Sequence, residues 1–116
     1  MLTEPRTVNV MGTDIRVIFR PENQDEKLAD LGGYFDPSEN VIVVKIPEKG
    51  KDSLSNLENW QKKVLRHEII HAFLHESGLD WNASPCDCWA MNEEMVDWFA
   101  IQSPKIFKLF REQKLV

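Results

Sequence analysis

Val41-Ile42-Val43-Val44-Lys45-Ile46 runs into a charged loop, Pro47 to Asp52, and then into Ser55-Asn56-Leu57-Glu58 and a helical pattern that reaches about Ser77. Across these residues the chain passes from strand chemistry to helix chemistry, and that order decides the fold. The β-branched run fits a pleated strand. Ser55 and Glu58 match a capping box, in which a serine hydroxyl caps the helix start and a glutamate three residues on reciprocates. Gly78 stands where a left-handed turn ends the helix.

Upstream, Val8-Asn9-Val10 and Ile15 to Phe19 flank Met11-Gly12-Thr13-Asp14, which reads as a hairpin. Pro21 to Leu31 is polar, a loop or a short helix. Gly32 to Asn40 carries turn chemistry, with Tyr34-Phe35 placed to pair back on the 41–46 strand. Downstream, Ser84-Pro85 looks like an N-cap followed by proline at the first helical position, opening a second helix to about Gln102. Ser103-Pro104 repeats that signal, so a third helix is expected over Lys105 to Lys114, packed on the domain. The expected class is α+β: a small, mostly antiparallel sheet, made of the N-terminal hairpin plus Val41–Ile46 as its edge strand, packed on two helices, with a C-terminal helix.

A chain of 116 residues suits one domain, 1–116. The net charge of −5 argues against broad electrostatic capture of nucleic acid or of an anionic membrane. No apolar run approaches the roughly 18 residues needed to cross a bilayer. Met1 to Pro5 does not lead into the apolar stretch of a signal peptide. Cys86 and Cys88, one residue apart, would close a strained loop if bridged, so free thiols in a reducing, cytoplasmic compartment are expected.

His67-Glu68-Ile69-Ile70-His71 is an HExxH pattern inside the predicted helix. An i, i+4 spacing puts both imidazoles on one face a turn apart, close enough to share a tetrahedral ion. Glu68 stands beside them, where a carboxylate can take the proton from a water on the metal. The bland alternative is two histidines satisfied by neighbours. Leu65, Ile69, Ile70, Ala72, Phe73 and Leu74 weaken it by making the helix apolar almost all round, and buried histidines beside a carboxylate are costly unless something organises them.

Zinc needs a third protein ligand. His75 repeats the i+4 step but lies roughly 12 Å along the axis from His67, too far to share one ion with it. It reads as a substrate-side or packed histidine. Of Cys86 and Cys88, at most one thiolate would point at the metal. Glu93 and Asp97, at i and i+4 on the second helix, share a face. One can bind the ion while the other accepts a hydrogen bond from the free ring nitrogen of a ligating histidine. Glu94, turned about 100° away, is the fallback ligand.

His67-Glu68-x-x-His71 followed by Asn92-Glu93-x-x-x-Asp97 resembles the gluzincin arrangement of zinc peptidases, in which a glutamate helix supplies the third ligand. Within that group, residues 67–75 (HEIIHAFLH) and 93–100 (EEMVDWFA) are similar to the ImmA/IrrE family, small metallopeptidase domains common in phages, prophages and mobile elements. The similarity is strongest over about residues 56–101, and the order of elements agrees with a compact minigluzincin fold. The resemblance implies one zinc per chain on His67, His71 and Glu93, with Glu68 as general base and Asp97 orienting a ligand. It also implies a peptide or protein substrate, with a regulatory protein of a phage or mobile element as the candidate. This chain departs from longer family members in having no residues left for a DNA-binding or sensor module. Tyr34 and His75 are the candidates for contacting the substrate or its oxyanion.

The expected activity is therefore endopeptidase hydrolysis, with an extended peptide added to Val41–Ile46 as the open sheet edge. A different class of function stands beside it: a zinc-stabilised binding module of phage origin without proteolysis, which four protein ligands, for instance with Cys88 added, would favour. Neither nucleic acid nor membrane is an expected partner. The oligomeric state is not legible.

Overall fold

The computed structural model describes residues 1–50, 56–80 and 89–116. Four strands, β1 (Arg6–Val10), β2 (Thr13–Pro21), β3 (Gly33–Asp36) and β4 (Val41–Ile46), form one sheet in the order β1-β2-β4-β3. Two helices follow, α1 (Leu57–Glu76) and α2 (Glu93–Glu112).

The hairpin forms as its sequence suggests, with a tighter turn. Val10 pairs with Thr13, so only Met11 and Gly12 lie between the strands, both at positive φ (51° and 95°). That geometry suits the right-handed twist of a hairpin but strains a methionine. The Asn9 side chain braces the turn, accepting from the Gly12 N–H at 3.0 Å and donating to Asp14 at 2.9 Å.

The expected edge position of Val41–Ile46 is wrong: β4 lies inside the sheet. It pairs parallel to β2 and antiparallel to β3, so the sheet is mixed rather than mostly antiparallel. Val41 to Val44 are all buried, half on each face. Ile42 and Val44 join Ile15, Val17 and Phe19 of β2 against Val64, Leu65 and Ala72 of α1. On the opposite face Leu28, from the 3-10 turn Glu26–Ala29, covers Val41 and Val43. An uninterrupted apolar run is the pattern of a strand covered on both faces, which an edge strand does not need.

The cap of α1 is Asn56, whose side chain accepts from the Asn59 N–H at 3.0 Å; Ser55, the expected cap, lies outside the described residues. Gly78 ends this helix at φ +83°, as its position suggests. Gln61, fully buried, ties α1 to the sheet: it accepts from the Leu2 N–H (2.7 Å) and donates to the carbonyls of Leu2 (2.9 Å) and Lys45 (3.2 Å). Strand β3 crosses α1 closely at Gly33, where a Cβ would stand 2.7 Å from the Val43 carbonyl oxygen and 2.8 Å from the Val64 side chain.

The Ser84-Pro85 start signal lies outside the described residues. The cap of α2 is Asn92, whose side chain accepts from the Met95 N–H at 2.7 Å. No separate C-terminal helix begins at Ser103-Pro104; α2 runs through Pro104 without a break. Proline cannot donate to the carbonyl four residues back. That carbonyl belongs to Ala100, and the Arg66 Nε donates to it at 2.6 Å from α1. The expected packing of this segment on the domain also fails: Phe107, Leu109 and Phe110 are exposed. Among the described residues, no helix is long and apolar enough to cross a membrane.

Candidate metal centre

The two helices meet where the histidines lie. Residues 61, 64, 65, 68 and 72 form the buried stripe of α1 against the sheet, which turns His67 and His71 to its margin, toward α2. The opposing side of α2 is anchored by Val96 and Ala100, both fully buried. One turn before this anchor the first helical residue, Glu93, faces the imidazoles, and Asp97 follows four residues on.

His67 Nε2 lies 2.9 Å from a Glu93 carboxylate oxygen, His71 Nε2 lies 3.1 Å from the other, and the two Nε2 atoms are 3.1 Å apart. One ligand atom from each of the three residues fits within 4.8 Å of the others, so the group could hold a metal ion. For bonds of about 2.0–2.1 Å the edge of a coordination tetrahedron is about 3.3 Å, close to these separations. The donor set fits as well. Lone-pair-bearing atoms this close repel one another unless a proton or a cation sits among them.

Protonation states favour ligation. Burial holds His71 below the ordinary histidine range despite the nearby Glu93 carboxylate, which keeps the ring neutral. His67 Nδ1 is 3.2 Å from Asp97 Oδ1, so the carboxylate can accept a hydrogen bond from Nδ1–H, the tautomer that leaves Nε2 bare toward Glu93. Burial pushes the Asp97 carboxyl up, but its hydrogen bond to His67 and the Lys63 ammonium, 3.4 Å away, outweigh that and bring it below the usual value. Glu68 is 7% exposed, and burial lifts its carboxyl to about 7. A carboxyl near neutrality in this place can both accept and return a proton.

These side chains line an open cleft of about 640 Å³. Gly33 to Phe35 of β3, Trp60 and Val64 of α1, and Ala90 and Met91 line it as well.

The two expected substrate-side residues differ in place. Tyr34 lines the cleft, but its hydroxyl donates to Asp25, and burial together with that bond raises the phenol to about 12. Its proton is engaged away from the histidines. His75 is not among the residues lining the cleft; its Nδ1 meets Asp80 at 2.9 Å and its ring packs edge-on to Phe35. Glu94 is exposed and outside the His67–His71–Glu93 group. Cys86 and Cys88 lie outside the described residues.

Three residues of the neighbourhood escape the motif reading. Lys63 stands one turn before His67 on the same face, so helical spacing signals it. Asp25 and Asp80 reach Tyr34 and His75 from loops, and no spacing rule predicts either contact. No protein-family model, curated protein or solved structure matches this chain.

Proposed function

We propose that the chain is a zinc metallopeptidase of minigluzincin-like fold, hydrolysing extended peptides. The observation that carries this reading is the convergence of His67, His71 and Glu93 within 4.8 Å, beside a buried Glu68 in the same cleft. The HExxH spacing and the resemblance to the ImmA/IrrE family support it, and through that family a regulatory protein of a phage or mobile element is the proposed substrate.

His67, His71 and Glu93 would hold the zinc, and the chemistry it would supply there is that of a Lewis acid toward water and a peptide carbonyl. Glu68 takes the proton of the attacking water and returns it to the leaving amine. Asp97 holds His67 in the tautomer that leaves Nε2 free, and Lys63 in turn holds Asp97. Strand β3 replaces β4 as the docking edge. Because the Lys45 N–H donates to the Gly32 carbonyl, alternation along the antiparallel ladder aims the N–H and C=O of Gly33 and Phe35 away from β4. Both residues line the cleft, so an added peptide strand would lie along it.

The test is native mass spectrometry of protein purified without chelator, followed by incubation with an unstructured protein such as casein. One zinc per chain, lost in Glu93→Ala, together with cleavage that Glu68→Gln abolishes, is the expected result. A chain that takes up no zinc on reconstitution would end the proposal. The engagement of Tyr34 with Asp25 favours a second reading, a zinc-stabilised binding module. Bound zinc without cleavage is its signature.

A further inference from the structure

The polar groups of the candidate centre occupy only part of the cleft. Trp60, Val64, His67 and His71 follow one another at i, i+4, i+7 and i+11, so they lie along one face of α1, and all four line the cleft. The half of this row nearer the start of α1 is apolar. Strand β3 and the residue before it meet this half with bare backbone. A Cβ on Gly32 would stand 2.8 Å from the Trp60 indole, and one on Gly33 would stand 2.8 Å from the Val64 side chain. Leu31, 47% exposed, also lines the cleft and adds an apolar rim. The ammonium of Lys63, the charged neighbour in this half, is engaged by α2, 3.4 Å from Asp97 Oδ1.

Register decides which part of a substrate meets this surface. Residues that face each other across an antiparallel ladder put their side chains on the same face of the sheet. Gly33 faces Val44, which is buried in the core against α1. A peptide residue opposite Gly33 on the free edge therefore sends its side chain toward α1, beside Val64 and Trp60. Strand β3 runs in the same sense as α1, since Gly33 lies at Val64 and the Phe35 ring packs against His75. An antiparallel peptide then runs from the histidines toward the start of α1. Val64 precedes the midpoint of His67 and His71 by five residues. That is roughly 7.5 Å of helix rise, or about two residues of extended chain.

We infer that Leu31, Trp60 and Val64 form a subsite for a large apolar side chain carried about two residues C-terminal to the bond that is cleaved. Bare backbone at Gly32 and Gly33 leaves the indole and the valine as its floor. A charged side chain placed there would lose water without gaining a partner, whereas a leucine or phenylalanine gains by burial. Like the docking edge itself, this subsite presupposes an extended peptide on β3.

The test is incubation of the zinc-loaded full chain with casein, with the new N-termini read by mass spectrometry. Leu, Ile, Met and Phe should be enriched about ten-fold over Asp at the second residue after the cleaved bond. Two dye-labelled peptides of one such sequence, with Leu or Asp at that residue, should show the same ratio of Kd on zinc-loaded Glu68→Gln, where no cleavage is needed. Trp60→Ala should reduce the preference to about two-fold, and Trp60→Phe should keep it. If Trp60→Ala does not fold, Leu31→Glu on the exposed rim carries the test, moving the preference toward Lys and Arg. Cleavage or binding with no preference at that residue, or with a preference for Asp or Glu, would overturn the subsite and leave the peptidase reading standing. Zinc-loaded protein that neither cuts casein nor retains any casein peptide would overturn both.

Discussion

Helices α1 and α2 have the same length, 20 residues, and opposite means of attachment. Six residues of α1 are buried, most of them against the sheet; α2 buries only Val96 and Ala100. Beside a small apolar anchor, in which Val96 packs with Leu74 and Ala90, polar contacts hold α2 among the described residues: Arg66 on the Ala100 carbonyl, Lys63 and His67 on Asp97, and both histidines on Glu93. One helix is fixed mainly by packing, the other in part by contacts that converge on the candidate metal ligands. The difference teaches that an ion held by His67, His71 and Glu93 would be coupled to the seating of α2 far more than to that of α1.

The strongest way to sharpen this contrast is Glu68→Gln on the packed helix. Hydrolysis of a peptide probe should fall by about 10²- to 10⁴-fold with zinc retained. The folded-state carboxyl is raised from 4.5 to about 7, so its favourable share of stability is present below pH 4.5 and lost as pH rises through 7. The metal-free Gln variant should therefore melt no lower than the wild type above pH 7. A clear loss of melting temperature there would give Glu68 a folding role.

Asp97→Asn probes the polar attachment. Zinc affinity should fall about 10- to 100-fold, the usual cost of losing a ligand's carboxylate partner, as measured by competition with a chromophoric chelator. Stability without zinc should also fall, by about 0.5–1 kcal/mol, because the His67 and Lys63 contacts that help seat α2 weaken. An unchanged metal-free stability would break the contrast, since α2 would then be held by its packing alone.

Gly33→Ala attacks the packed side. The added methyl meets the Val43 carbonyl, which is backbone and cannot step aside, so about 1–3 kcal/mol of destabilisation is expected in urea titration. The loss should be the same with and without zinc. Equal unfolding midpoints for variant and wild type would show that β3 does not lie tightly on α1.

The smallest expected effect belongs to Tyr34→Phe, about 1 kcal/mol for one lost hydrogen bond. Its pH dependence is the informative part. The bond from Tyr34 depresses Asp25 below 3.8, so that stability is present above pH 3.8 and lost as pH falls through the folded value. The phenol is raised from 10.0 to about 12, so the same bond is lost as pH climbs from 10 to 12. The gap between wild type and variant should be flat from about pH 4 to 10 and shrink on both sides.

Several features were legible because they depend on neighbours in sequence. The hairpin shows itself through β-branched residues around Met11-Gly12, and the metal-facing stripe through the i, i+4 spacing of His67 and His71. Asn92 and the Glu93–Asp97 pair are legible in the same way. Val41–Ile46 was recognisable as a strand, and its four consecutive buried residues also signal an interior one. Which strands pair on either side of it is not written in that run, and the expected edge position failed. Ser103-Pro104 misleads for a different reason: proline is a start signal locally, and only Arg66, 38 residues upstream, makes it tolerable inside a helix.

Taken alone, the amino-acid sequence determined an α+β chain with an HExxH helix and an acidic helix after it, because periodicity and capping act within a few residues. Tertiary structure decided that β4 is covered on both faces, that β1 and β3 are the sheet edges with β3 beside the cleft, and that α2 is one helix. It also brought Glu93, rather than Glu94 or Asp97, into one group with the two histidines. Those outcomes depend on which surfaces meet across dozens of residues, and burial and carbonyl satisfaction are settled only when they do.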